Sequence, residues 1–180
     1  MNTPNKLTIL RMILVPIFMF FFLCEDIPFN YLLAALSFAA ASITDCIDGH
    51  IARKHNLITD FGKFLDPLAD KILTTSAIIC FIPLGLAGPV MAMIILARDV
   101  LVTSLRLVAS GKGTVIAANS WGKVKTISQM VAIVVTLVLL TFAEFFEISY
   151  SVIYILSQIL LWVSTALTLI SGIIYLWQNR

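Results

Sequence analysis

Long apolar runs separated by short polar segments set the pattern of this chain. A helix needs roughly 20 mostly apolar residues to cross the hydrocarbon of a bilayer. Six stretches approach that length: about Leu7 to Cys24, Phe29 to Asp45 with room to continue to Arg53, Phe64 to Ile82, Pro89 to Ala109, Val124 to Phe142 and Tyr150 to Trp177. The segment from Pro83 to Pro89 is short and marked by Pro and Gly, as a connection between antiparallel helices should be. The pattern predicts an all-α polytopic membrane protein with six transmembrane helices and a short N-terminal interfacial segment. It predicts a single domain over residues 1–180, without repeats. Lys6 and Arg11 precede the first apolar run, but no small-x-small cleavage site follows, so that run is expected to be a retained helix.

Composition strengthens the membrane reading. Of 180 residues, 60% are hydrophobic and 12% charged, against about 45–50% apolar and about 25% charged in soluble domains. The net charge of +2 is too small to suggest a nucleic-acid partner. Cys24, Cys46 and Cys80 have neither paired nor metal-type spacing and read as small apolar residues. The charges sort by side. Lys6, Arg11, Arg53, Lys54, Lys63, Lys112, Lys123, Lys125 and Arg180 fall in the N-terminal segment, the 50–63 and 110–125 connections and the C-terminus. The opposite connections hold Glu25, Asp26, Glu144 and Glu147 and no base. The positive-inside rule then places both termini in the cytoplasm of a cell whose inner membrane the chain crosses repeatedly. The small residues of the second helix, Ala34, Ala35, Ser37, Ala39, Ala40, Ala41 and Ser42, suit close helix packing.

One string stands apart: Asp45-x2-Asp48-Gly49-x2-Ala52-Arg53-x8-Gly62-x3-Asp66-x3-Asp70. Steps of three and four put Asp45 with Asp48, and Asp66 with Asp70, on shared helix faces. Carboxylates at a bilayer are costly and need partners. Singly, each could solvate a loop or pair with Lys63 or Lys71. Four together, with only oxygen donors, suit a hard divalent cation, Mg²⁺ or Mn²⁺. Gly49 permits close approach of a ligand. Arg53 offers a planar fork for phosphate oxygens. Acidic metal ligands beside a phosphate-binding Arg point to phosphoryl-transfer chemistry. His50 and His55 flank Arg53 without metal-type spacing.

This string resembles, at every fixed position, the signature of the CDP-alcohol phosphotransferase family. Pro4 to Arg11, Phe64 to Lys71 and Gly122 to Thr126 are similar to its bacterial phosphatidylglycerophosphate synthase branch. The segment Arg98 to Arg106 departs from that branch's usual R-E-x3-S-G-L-R: Asp99 replaces Glu, and Thr103-Ser104 replaces Ser-Gly. The resemblance implies a six-helix, usually homodimeric membrane enzyme that moves the phosphatidyl group of CDP-diacylglycerol to an alcohol and releases CMP. It implies Asp45, Asp48, Asp66 and Asp70 as ligands of two divalent ions, Mg²⁺ or Mn²⁺, with Asp70 also the general base. Gly49, Arg53 and Thr59 would hold the CDP portion, with Asn5 and Thr8 as further candidates.

The branch implies sn-glycerol 3-phosphate as acceptor, a dianion that needs a basic pocket. Arg106, Lys123 and Lys125 are the natural set, with Arg11 in reserve, set against ordinary positive-inside anchoring. Phosphatidylglycerol, serine or inositol phosphate would serve the same chemistry. Arg98 and Asp99 lie deeper in the fourth helix as a structural polar contact, and neighbours on a helix need not pair. A cation transporter would need acidic groups along a crossing path, and the motif aspartates instead gather toward one face. A silent scaffold would not need the intact motif.

Overall fold

The computed structural model describes residues 3–54, 60–111 and 120–178. Every regular element among them is a helix: α1 (Thr3–Leu23), α2 (Asn30–Lys54), α3 (Asp60–Phe81), α4 (Pro89–Gly111), α5 (Ser120–Phe145) and α6 (Tyr150–Gln178). The residues expected as a separate interfacial segment are the first turns of α1. α5 and α6 are long and apolar enough to cross a membrane by length and composition, and α1 carries a shorter apolar stretch, Leu7–Leu23. Charge interrupts the others. Asp45, Asp48, Arg53 and Lys54 occupy the end of α2, Asp60 to Lys71 holds five charges at the start of α3, and Arg98, Asp99 and Arg106 punctuate α4.

The chain forms two compact units, one of Met1–Cys80 with Leu137–Ile148, the other of Phe81–Thr136 with Ser149–Arg180.

In the first unit α1 packs along α2. The buried side chains Thr8, Arg11, Val15, Phe18 and Phe22 follow one another in α1 at steps of three and four, which makes a single stripe. The facing stripe of α2 runs through Ala34, Phe38 and Ala41. Phe22 meets Tyr31 at 5.4 Å between ring centroids and Phe18 meets Phe38 at 5.6 Å, both edge-on, so the two helices run antiparallel. Of the seven small residues of α2, Ala34 and Ala41 are the buried ones, and Ala39 and Ala40 are exposed. Only the two that oppose α1 are used for its close approach.

The start of α2 is capped from far along the chain. Its first backbone N–H groups have no partner within the helix. The carboxylate of Glu144 accepts from Tyr31 N at 2.9 Å and Leu32 N at 3.2 Å, and its charge sits favourably at the positive end of the helix. Phe29, at φ 58°, turns the chain into α2 and stacks on Phe145 at 5.2 Å.

The second unit opens on a helix stop. Gly85 N donates to Ile82 O at 2.9 Å and Leu86 N to Phe81 O at 3.1 Å, the paired bonds of a Schellman turn. Gly85 supplies the left-handed φ of 67° that this turn needs. Phe81 and Leu86, both fully buried, close the turn over an apolar contact position. Tyr150 Oη donates to Leu84 O, and Gln158 Nε2 to Gly85 O at 2.9 Å, fastening the turn to α6. α4 packs along α6. The buried face of α6 is rich in hydroxyls: Ser157, Ser164, Thr165, Thr168 and Ser171 alternate with Ile153, Leu161 and Tyr175. Thr165 and Thr168 return their protons to the carbonyls of Leu161 and Ser164 at 2.7 and 2.8 Å, which satisfies them inside the helix.

Candidate functional site

The aspartate string occupies the last turns of α2 and the first turns of α3, with all of its helical positions in the first unit. Asp48, Gly49 and Arg53 are carried by α2, Asp66 by α3 and Asn5 by α1; their side chains, and Thr59 altogether, lie outside the described residues. Asp45 and Asp70 are described. Asp45 extends the buried stripe of α2 by one more step of four beyond Ala41. There it meets the matching step of α1: Arg11 Nη1 lies 2.6 Å from Asp45 Oδ1. The Arg11 side chain is 0% exposed and that of Asp45 44%. An apolar helix seam thus ends in an ion pair whose cation is enclosed and whose carboxylate is still open on one side. Thr8, the next residue of the α1 stripe, is buried beside that end.

Asp70 lies one position past buried Ala69 and is 29% exposed. Its Oδ2 is 3.0 Å from Lys71 Nζ. A pair between partly exposed neighbours contributes little to stability. Both carboxylates therefore sit at the rim of packed helices, each paired with a base and each still accessible. Carboxylate oxygens are the kind of donor that a hard divalent cation takes. Among the described residues no three His, Cys, Asp or Glu side chains gather in one place, with Asp48 and Asp66 outside that set.

The basic residues expected to hold an acceptor phosphate divide between the units. Arg11 is in the first, on Asp45. Arg106, Lys123 and Lys125 are in the second. Arg106 is exposed and places its guanidinium 5.6 Å from the ring centroid of buried Tyr175, a cation–π contact that fixes its direction. Lys123 and Lys125 are two residues apart on α5 and so point to opposite faces. Lys123 is exposed. The Lys125 side chain is 1% exposed, with Nζ at 2.7 and 2.8 Å from the two carboxylate oxygens of Asp99.

Asp99 also receives Arg98. Neighbours on a helix present different faces, yet the long Arg98 side chain folds back to place Nη1 3.1 Å from Asp99 Oδ1. Its Nη2 reaches α6 and donates to Ser171 Oγ at 2.7 Å. Of two nearby glycines, Gly172 is the one that leaves room for it. A Cβ on Gly172 would lie 3.0 Å from Arg98 Cγ, and one on Gly122 3.8 Å from Nη2. Sequence reasoning missed Ser171 because it sits in the most apolar helix. The signal available was the recurrence of hydroxyls at Ser157, Ser164, Thr168 and Ser171, all on one helical face.

Comparison with known proteins agrees with the string. The family model described as CDP-alcohol phosphatidyltransferase matches residues 1–170. A Bacillus subtilis (strain 168) protein named CDP-diacylglycerol–glycerol-3-phosphate 3-phosphatidyltransferase is 42% identical over 189 residues, covering 99% of this chain and 95% of the relative. Proteins of the same name from Rickettsia bellii and Haemophilus influenzae are 38% and 37% identical, covering 97% and 73% of this chain and 93% and 73% of the respective relative. With an intact acidic signature on α2 and α3 and a family match over nearly its whole length, this chain belongs to the CDP-alcohol phosphatidyltransferase family.

Proposed function

We propose that this chain transfers the phosphatidyl group of CDP-diacylglycerol to sn-glycerol 3-phosphate, giving phosphatidylglycerophosphate and CMP. The observation that carries this reading is the complete acidic string at the consecutive ends of α2 and α3. The names of the relatives support the choice of donor and acceptor.

In this reading the acceptor hydroxyl oxygen forms a bond to the phosphorus next to the diacylglycerol. The bond from that phosphorus to the CMP oxygen breaks, and the hydroxyl proton passes to the Asp70 carboxylate. Asp45, Asp48, Asp66 and Asp70 would hold one or two Mg²⁺ or Mn²⁺ ions. When bound, such ions neutralise the pyrophosphate and the departing CMP. A carboxylate in that setting is a weak base, so positioning supplies much of the acceleration. Gly49, Arg53 and Thr59 hold the CDP portion, with Asn5 and Thr8 near it. Arg11 keeps Asp45 neutralised and directed. Arg106 and Lys125 receive the phosphate of the acceptor, and Lys123, on the opposite face of α5, adds positive charge at its approach.

The long apolar runs and the sidedness of the bases support six crossings of the cytoplasmic membrane as one domain, with both termini and the acidic string on the cytoplasmic side. The family resemblance supports a homodimer. CMP release by the purified protein, given CDP-diacylglycerol and a panel of acceptors, tests the reaction. Release is expected with glycerol 3-phosphate, should stop on chelation of divalent ions and should return with Mg²⁺ or Mn²⁺. Release with serine but not with glycerol 3-phosphate would overturn the choice of acceptor.

A further inference from the structure

Asp99 is the single acidic residue of the second unit, among six bases. It is also one of the most enclosed, with its side chain 3% exposed. Both of its oxygens are engaged by Lys125, and one is shared with Arg98. Two cations thus meet on one carboxylate inside the unit. The Nε of Arg98 is buried there without a hydrogen-bond partner among the described residues. A buried ion pair adds little stability over well-packed apolar residues, because desolvation offsets the attraction. A cluster of this kind is better explained by what it holds in place.

We propose that Asp99 is a positioning residue for acceptor binding. It fixes Lys125 in an enclosed site, and through Arg98 and Ser171 it ties the lysine-bearing start of α5 to α4 and α6. A lysine has a flexible four-carbon stem, and fixing it before a phosphate arrives removes an entropic cost from binding. The inference rests on the reading that Lys125 serves the acceptor phosphate. It adds that the lysine works only while Asp99 holds it.

The test is steady-state CMP release with both substrates varied, on Asp99→Asn, Asp99→Glu, Ser171→Ala, Lys125→Met and the double variant Asp99→Asn/Lys125→Met. Asp99→Asn is expected to raise KM for glycerol 3-phosphate about tenfold or more, the scale of a lost charged hydrogen bond, and to leave KM for CDP-diacylglycerol within about twofold. Asp99→Glu should restore most of the affinity. Ser171→Ala should raise the same KM about threefold. In the double variant the two changes should not multiply, since they act through one side chain. If Asp99→Asn does not fold, Ser171→Ala and Asp99→Glu still decide, and an unchanged glycerol 3-phosphate KM in Ser171→Ala then overturns the proposal. A raised KM in Lys125→Met with none in Asp99→Asn overturns the clamp alone. No change in Lys125→Met overturns the assignment of Lys125 itself. Equal changes in both KM values, with a lowered unfolding temperature, would reduce Asp99 to a structural role.

Discussion

The first unit holds nine of the ten acidic residues of this chain beside six bases, and the second holds six bases beside Asp99 alone. Both units hold enclosed ion pairs, but they enclose them differently. In the first, the base is enclosed and the acid faces outward: Arg11 is fully buried and Asp45 half open. In the second, Asp99 and Lys125 are both enclosed, while Arg106 and Lys123 stay accessible. The difference suits two kinds of ligand. Accessible carboxylates backed by a buried cation attract metal ions and, through them, a pyrophosphate. Accessible bases backed by a buried acid attract a phosphate dianion. Under the proposed function, the donor falls to the acidic unit and the acceptor to the basic one.

That contrast can be broken most severely at the acidic unit. Asp70→Asn keeps the shape of the side chain and removes the base. Turnover should fall about a hundredfold or more, while retention of CDP-diacylglycerol by the purified protein persists. Unchanged CMP release would remove the base assignment. A milder change sharpens the role of the enclosed cation. Arg11→Met leaves Asp45 without its 2.6 Å partner. Because that carboxylate is partly open to screening, the cost should be about 1–2 kcal/mol rather than that of a fully buried pair. This corresponds to about 2–8 °C in the unfolding midpoint. A wild-type midpoint would show that the pair is dispensable. The smallest effect concerns the cap of α2, on the far side of the chemistry in the sequence. Glu144→Gln removes the charge at the start of that helix and should cost about 0.3–1 kcal/mol, with both KM values unmoved. A changed KM would mean that the cap reaches the site along α2.

The helices were legible as long apolar runs between short polar connections. Their ends were less so. α1 begins at Thr3 and α3 at Asp60, several residues before the first apolar run, because a helix continues through polar turns that apolarity does not mark. The aspartate string was legible because its spacing repeats the turn of a helix. The pairings were not. Arg11 reads as a spare phosphate ligand until the stripe of α1 is laid against α2 and its cation reaches Asp45. The Glu144 cap spans 112 and 113 residues to Leu32 and Tyr31, and no local pattern encodes such a contact. Asp99 and Lys125 are 26 residues apart on different helices. Ser171 is hidden in an apolar helix whose hydroxyls look ordinary one at a time. The division into two units also has no marker in the sequence, since α5 contributes to both.

The most direct measurement crosses the two units in one assay. Arg53→Ala alters the acidic unit and Arg106→Ala the basic one, and CMP release is followed with each substrate varied in turn. The account predicts that Arg53→Ala raises KM for CDP-diacylglycerol alone and Arg106→Ala raises KM for glycerol 3-phosphate alone, each about tenfold. If either variant shifts both constants equally, or the two effects are exchanged, the division of labour between the units is wrong.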